Sequence, residues 1–535
     1  MSTTPLSRRR LLALSAAAGS LAAIRPSAAL AAGPTPTDVE VLVVGTGYGG
    51  SVAALRLAEA GYSVTMLEMG QNWTTPGADG KVFNNLRNPD ARSFWFRDRT
   101  AMPLRTFLGL DVIDKDIPRG PGALDRVDFG AMNVYVGRGV GGGSLVNGGM
   151  AVRPNRAHLT AQVPGIDHQQ LFDTYLPLAE RELGVNRPTD KLLNTVEEYR
   201  FSRMARQTAN AAGLPVVTVP NVYDFSYLER EIVDQVPRSA TANEVIFGNN
   251  YGKRDLTKSY LQKALATGRV TIRAMSRAHR IARQADGSYL VEVRRIDSTG
   301  AEVETTQWRT RKLVLAGGSL GSTELLLRSQ ATGGLSGLSP QLGKGWGSNG
   351  ATMVGRANQI WQPTGSKQST IPIEGIDYWT NGPAGQKVFA EICPMPTGFE
   401  TWVNLYLALT DSPQRATFGW DATAGRMTLD WTTAKSQTAI TSAKQVFDRI
   451  NASQGTIYRS DLFGGNKVFS DNFTYHPLGG CTIGGVTDAH GRVTGQPGMY
   501  VVDGALIPGS VGVNPFLTIT AMAEQIMATV IGEDF

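Results

Sequence analysis

Val39-Glu40-Val41-Leu42-Val43-Val44, followed at once by Gly45-Thr46-Gly47-Tyr48-Gly49-Gly50, decides the reading of this chain. Apart from Glu40, the first six residues are all apolar and suit a buried parallel strand. Ser51 to Ala60 is rich in helix formers and stops at Gly61, and Ser63-Val64-Thr65-Met66-Leu67 reads as a second strand that ends at Glu68. Strand, glycine turn, helix, strand and terminal acid together make a complete βαβ nucleotide unit, which a lone G-x-G-x-x-G does not. Gly45 permits the tight turn, Gly47 lets the backbone approach a pyrophosphate, and Gly50 allows the helix to pack closely. The helix N-terminus then favours the phosphate charge. Glu68 can accept hydrogen bonds from a ribose diol and would repel a 2'-phosphate.

Three more segments of the same character lie further along the chain. Gly137 to Met150 is too rich in glycine and too long for an ordinary turn, and its bare backbone suits a flat ring system lying against it. Lys312 to Ala316 followed by Gly317-Gly318-Ser319-Leu320-Gly321 repeats the strand, turn and helix pattern, and Met499 to Gly504 is a strand ending at Asp503. Each alone is also what a structural turn looks like. Spread over the whole chain, they favour a large extended cofactor, FAD, over NAD. Asn514 and Pro515 suit the N-cap and first position of a last helix, whose dipole would favour negative charge on a reduced flavin.

Composition narrows the function class once the N-terminus is set aside. Ser7-Arg8-Arg9-Arg10-Leu11-Leu12 opens an Ala/Leu-rich run to about Ile24, with Ala29-Leu30-Ala31 as a cleavage site, so residues 1–31 are expected to be a twin-arginine signal peptide and the protein to be secreted. They carry Arg8, Arg9, Arg10 and Arg25 and no acid, which leaves 48 basic against 46 acidic residues, a net charge of +2. That balance gives no reason to expect nucleic acid as a partner. Two cysteines, Cys393 and Cys481, exclude a disulfide framework and a cysteine zinc site; one disulfide stays open, with free thiols preferred, and no metal spacing is present.

On the Gly45 fingerprint, the Gly137 to Met150 segment, the Gly318-Ser319-Leu320-Gly321-Ser322-Thr323 turn, Tyr475-His476-Pro477-Leu478-Gly479-Gly480 and Val513-Asn514-Pro515-Phe516, the chain resembles the glucose-methanol-choline (GMC) oxidoreductase family. Within it, the Val388 to Ile392 and Thr401 to Ala408 stretches, and Asn514 where many members have a second histidine, resemble the bacterial cholesterol oxidases with non-covalent FAD. The resemblance implies FAD contacts at Tyr48, Gly49, Glu68, Gly143, Asn147, Gly148, Met150, Asp503, Gly504 and Phe516, and a backbone contact at Ala278. It implies that His476 positions the substrate 3-hydroxyl and Asn514 orients the substrate. It also implies that Glu391 carries a proton from C4 to C6, turning a Δ5 ketone into the conjugated Δ4 enone. From the residues alone, Glu391 is an acid inside an apolar strand, where burial raises a carboxyl pKa. His476 is one of five histidines, and a histidine in His-Pro-x-Gly-Gly is often structural.

The expected fold class is α/β, a Rossmann-like FAD-binding domain from residues 33–72, 254–345 and 491–535. A sterol-binding domain with a largely antiparallel sheet and helices is expected from residues 73–253 and 346–490, its aromatics mostly in the core. Sterol and molecular oxygen are the expected partners of a monomer. Met102-Pro103-Leu104 and Phe107-Leu108-Gly109-Leu110 form an apolar stretch that reads either as a plain buried loop or as a lid making transient contact with sterol-containing membrane. Cys393 follows Glu391 by two residues and Cys481 follows His476 by five, so convergence of those two would bring the sulfurs together behind one site. The competing readings are a flavin oxidase or dehydrogenase of the same fold acting on another alcohol, and a secreted sterol carrier without catalysis.

Overall fold

The opening stretch folds as the centre of a five-stranded parallel sheet. In spatial order the strands are Met499–Val501, Lys312–Leu315, Val41–Val44, Val64–Leu67 and Val270–Arg273. The order in which successive strands are added reverses between Val41–Val44 and Lys312–Leu315, which creates a crevice beyond their carboxyl ends, where open α/β sheets take ligands. Val41, Leu42 and Val43 are fully buried, each worth roughly 1.5–3 kcal/mol of apolar transfer. The computed structural model describes residues 35–379, 387–395, 402–470 and 472–535, so the expected signal peptide lies outside the described residues.

The first helix, Tyr48–Glu59, starts three residues earlier than the helix formers suggest, with Gly47 as its cap. Glycine is required at two of its positions by close backbone approach. A Cβ on Gly49 would stand 1.7 Å from the Val502 carbonyl oxygen, and one on Gly50 would stand 2.1 Å from the Gly45 carbonyl oxygen. Arg56 on this helix reaches Glu524 on the last helix, Phe516–Asp534, at 2.7 Å. Tyr260 donates to the other oxygen of Glu524 at 2.6 Å, which ties three helices together.

The second large sheet is antiparallel throughout and six-stranded. Its order is Phe469–Ser470, Thr352–Ala357, Val403–Thr410, Val388–Cys393, Glu374–Tyr378 and Val216–Thr218. The alternation around Trp402 to Leu407 does not mark an exposed face, since all of Val403–Thr410 is buried. The two-residue period instead divides two cores: Leu405 and Leu407 pack with the nucleotide region, whereas Tyr406 and Ala408 face the Thr433–Gln454 helix side. On the adjacent strand the same period puts Phe389, Glu391 and Cys393 together. Trp361 and Trp402 are exceptions to the expectation of core aromatics, both lying exposed.

Candidate active site

A cavity of about 1290 Å³ opens from the crevice of the parallel sheet to the face of the antiparallel one. That exceeds the roughly 300–1,000 Å³ usual for one small ligand, so it has room for an extended cofactor and a substrate. One arm is glycine-lined and polar, the other apolar, with Met353, Leu405, Leu407, Met395 and Pro372 on its wall.

The glycine-lined arm gathers residues far apart in sequence: Gly45, Gly47, Tyr48, Gly49, Glu68, Gly143, Asn147, Gly148, Met150, Ala278, Asp503, Gly504 and Phe516 all line it. Gly50 does not; it lies behind, packed on Gly45. Glu68 is held by hydrogen bonds from Thr46 Oγ1 at 2.6 Å and from the Gly70 amide at 2.9 Å. Burial raises its pKa, against those hydrogen bonds. Asp503 accepts from the Gly318 amide at 2.8 Å and from Ser322 Oγ at 2.6 Å, which joins two glycine turns. Tyr48 stacks on Phe516 with ring centres 5.0 Å apart, and Asn147 Nδ2 donates to the Tyr48 hydroxyl at 2.7 Å.

This wall fits a flat dinucleotide. A Cβ at Gly47 or Gly143 would meet no protein atom within 4 Å and would stand in the cavity. Asn147 Oδ1 and Asn514 Oδ1, both buried, have no protein partner. Pro515, Phe516 and Ile519 bring the positive end of the last helix to the same wall.

Glu391, His476 and Asn514 line the same cavity, and Asn514 is hydrogen-bonded to Glu391. Burial pushes the Glu391 carboxyl up to about 7, opposed by a hydrogen bond from Asn514 Nδ2 to Glu391 Oε1. Burial pulls the His476 imidazole down to about 4, so the ring is neutral near pH 7. Asn514 therefore does not cap the last helix as the Asn-Pro spacing suggests. Pro515 occupies the cap position with no side-chain cap bond, because the amide is spent on Glu391 across 123 residues of sequence. The two cysteines are free and have separate surroundings: Cys393 Sγ lies 4.0 Å from Glu391 Oε2, whereas Cys481 is buried against Thr323 Oγ1 at 3.5 Å.

Two supporting residues carry no sequence signal. Thr46 bridges Glu68 and the Gly141 amide. Lys253, 1% exposed, donates from Nζ to the carbonyl oxygens of Leu145 at 3.1 Å and Asn147 at 2.5 Å, behind the glycine wall. Burial lowers its pKa to about 7. Nothing in Tyr251-Gly252-Lys253-Arg254 marks it, since its partners are main-chain atoms more than a hundred residues away.

Signatures of the GMC oxidoreductases match residues 39–344, 349–464 and 416–523. The chain belongs to the GMC oxidoreductase family. Among GMC relatives it is 26% identical to a cholesterol oxidase of Acinetobacter baumannii, over 92% of this chain and 94% of that protein. It is 28% identical to a cholesterol oxidase of Mycobacterium tuberculosis, over 91% and 90%. An oxygen-dependent choline dehydrogenase of Pseudomonas putida is 26% identical over 55% of this chain and 48% of its own length. Among solved structures, a pyridoxine 4-oxidase from Mesorbium loti superposes with a TM-score of 0.62 at 16% identity, covering 93% of this chain and all of that one, and shows the shared fold. The GMC family binds FAD, and the GMC assignment makes this chain an oxidoreductase.

Proposed function

We propose that this chain oxidises the 3β-hydroxyl of cholesterol and related sterols with oxygen, releasing hydrogen peroxide, and isomerises the 3-oxo-Δ5 product to the Δ4-3-one. The observation that carries this reading is one cavity lined by Glu391, His476 and Asn514, by an apolar wall and by the glycine turns. The two cholesterol oxidase relatives, aligned over nearly the whole chain, support the sterol.

The glycine-lined arm would hold FAD through Gly45, Gly47 and the Glu68, Asn147 and Asp503 side chains. Non-covalent binding is supported by the few side chains that could link a flavin: His476 and Cys393 are the histidine and cysteine that line the cavity among the described residues. Bound FAD supplies the acceptor for the hydride from C3. His476, neutral, accepts the hydrogen bond of the 3-hydroxyl and takes its proton. Asn514 keeps its Oδ1 free to orient the substrate while Nδ2 engages Glu391 Oε1. Glu391 Oε2 is then left to take the C4 proton and return it at C6.

The wider reading keeps the division into an FAD-binding region and a sterol-binding region, a monomer, and export by the twin-arginine route of residues 8–10. Leu108 and Leu110, 69% and 63% exposed, follow cavity-lining Met102, Pro103 and Leu104, which supports a membrane-contacting lid.

The test is to mix the mature flavoprotein with cholesterol micelles in air and to follow peroxide together with the ultraviolet band of the conjugated enone. Both signals are expected. Peroxide alone would remove the isomerase step, and neither would move the reading to another alcohol or acceptor.

A further inference from the structure

Asn514 sits at the end of the loop 509–513, and one side chain outside the cavity holds that loop. Asn349, fully buried, accepts at Oδ1 from the amides of Val511 and Gly512 at 2.9 and 3.1 Å and from Ser510 Oγ at 3.1 Å. Its Nδ2 donates to the Val513 carbonyl at 2.8 Å, and its own amide donates to the Gly509 carbonyl at 3.0 Å. Asn349 therefore touches every residue of the loop. The backbone there is left-handed, φ 56°, a conformation asparagine tolerates better than most side chains.

The other side of the loop is walled in. A Cβ on Gly512 would stand 1.9 Å from the Trp379 ring, and one on Gly509 would stand 2.2 Å from the Arg415 guanidinium. His158 Nε2 lies 3.2 Å from the Ser510 carbonyl, and Ser510 Oγ also reaches the Thr410 carbonyl at 3.0 Å. Thr410 pairs with Val388, the first residue of the strand that bears Glu391. Asn349 itself precedes Thr352–Ala357, which pairs with Val403–Thr410. The loop is thus fastened to the sheet that carries Glu391 and delivers Asn514, two residues before the helix that borders the cofactor arm.

We propose that Asn349 is a positioning residue for the Glu391–Asn514 pair, holding the loop that delivers Asn514 against the sheet that carries Glu391. This rests on reading Glu391 as the proton carrier. Around Glu391 the titratable neighbours are Cys393 on its own strand and Tyr475 from the segment opposite, with His476 lining the same cavity. No lysine or arginine forms an ion pair with it among the described residues. The Asn514 hydrogen bond is the contact that favours its charged form, so loosening the loop raises the pH at which it ionises.

The test titrates the protonated carboxyl infrared band of the FAD-loaded protein, assigned by its loss in Glu391→Gln. Asn349→Gly deletes the side chain at a φ that glycine adopts freely. We expect its midpoint to rise by about 0.5 to 1 pH unit, as for one lost hydrogen bond, with a rise of the same size in Asn514→Leu. The double variant should rise no further, since both changes remove one interaction. If Asn349→Gly fails to fold, Ser510→Ala removes one of the Asn349 contacts and should give a smaller rise. An unchanged midpoint in Asn349→Gly, in Asn514→Leu or in the substitute Ser510→Ala, or additive shifts in the double variant, would overturn the proposal. No sterol is needed, so a wild-type protein that makes no enone would remove the proposed function while the titration still decides the role of Asn349.

Discussion

Glu391 and His476 share one cavity, and burial pushes their proton affinities in opposite directions because one is charged when deprotonated and the other when protonated. Glu391→Gln keeps the volume and removes the carboxyl proposed to carry the proton. Peroxide production should stay within about tenfold while enone formation falls by about 10²–10⁴, read from the two signals in one cuvette. The pH dependence should separate the same two steps. Proton abstraction at C4 needs the carboxylate, so the ratio of enone to peroxide should climb as pH rises through about 7, whereas oxidation, served by an imidazole already neutral above about 4, should stay flat there. A ratio independent of pH would remove Glu391 from the isomerisation. From sequence, Glu391 is only an acid in an apolar strand; its neighbours Asn514, Tyr475 and Leu407 come from other segments, so its environment was not legible locally.

The elements that hold the cofactor differ in what their glycines are for, and substitution should show it. Gly49→Ala would drive a methyl into the Val502 carbonyl and should give an unfolded or flavin-free protein. Gly47→Ala meets no protein atom and sits at φ −70°, which alanine adopts. Its apoprotein should melt like wild type while flavin affinity falls at least about tenfold, the cost of ~1.4 kcal/mol of lost fit, checked by flavin titration and calorimetry. The fingerprint spacing announces both glycines without saying which serves packing and which serves the ligand. The loop around Leu108 makes a different prediction. Its amide is held by Asp461 Oδ2 at 2.7 Å while the side chain faces solvent, so Leu108→Asp leaves the fold intact. Turnover on cholesterol-containing vesicles should drop more than turnover on detergent-dispersed sterol; equal losses would count against membrane contact.

At the scale of the whole molecule, the buried carboxyl couples stability to pH. Glu391 is protonated in the fold up to about 7 but ionises near 4.5 when exposed, so its contribution to stability is full below 4.5 and is lost as pH rises through 7. The loss amounts to about 3 kcal/mol, and the decline in melting temperature across that window should be smaller in Glu391→Gln. The βαβ unit, its partner segments and the GMC family were legible because each is local: apolar runs with glycines at fixed spacing specify strand, turn and helix without help from the rest of the chain. The glycine-rich turns announced a cofactor cradle for the same reason. What only the tertiary structure decided is which side chains share an environment. It turned Asn514 from a helix cap into the partner of Glu391, set Lys253 behind the cradle, separated the two thiols and placed Asn349 across the loop from 509 to 513. These contacts span from about a hundred to about 160 residues, and hydrogen bonding and desolvation act over a few ångströms of space, so no sequence period records them.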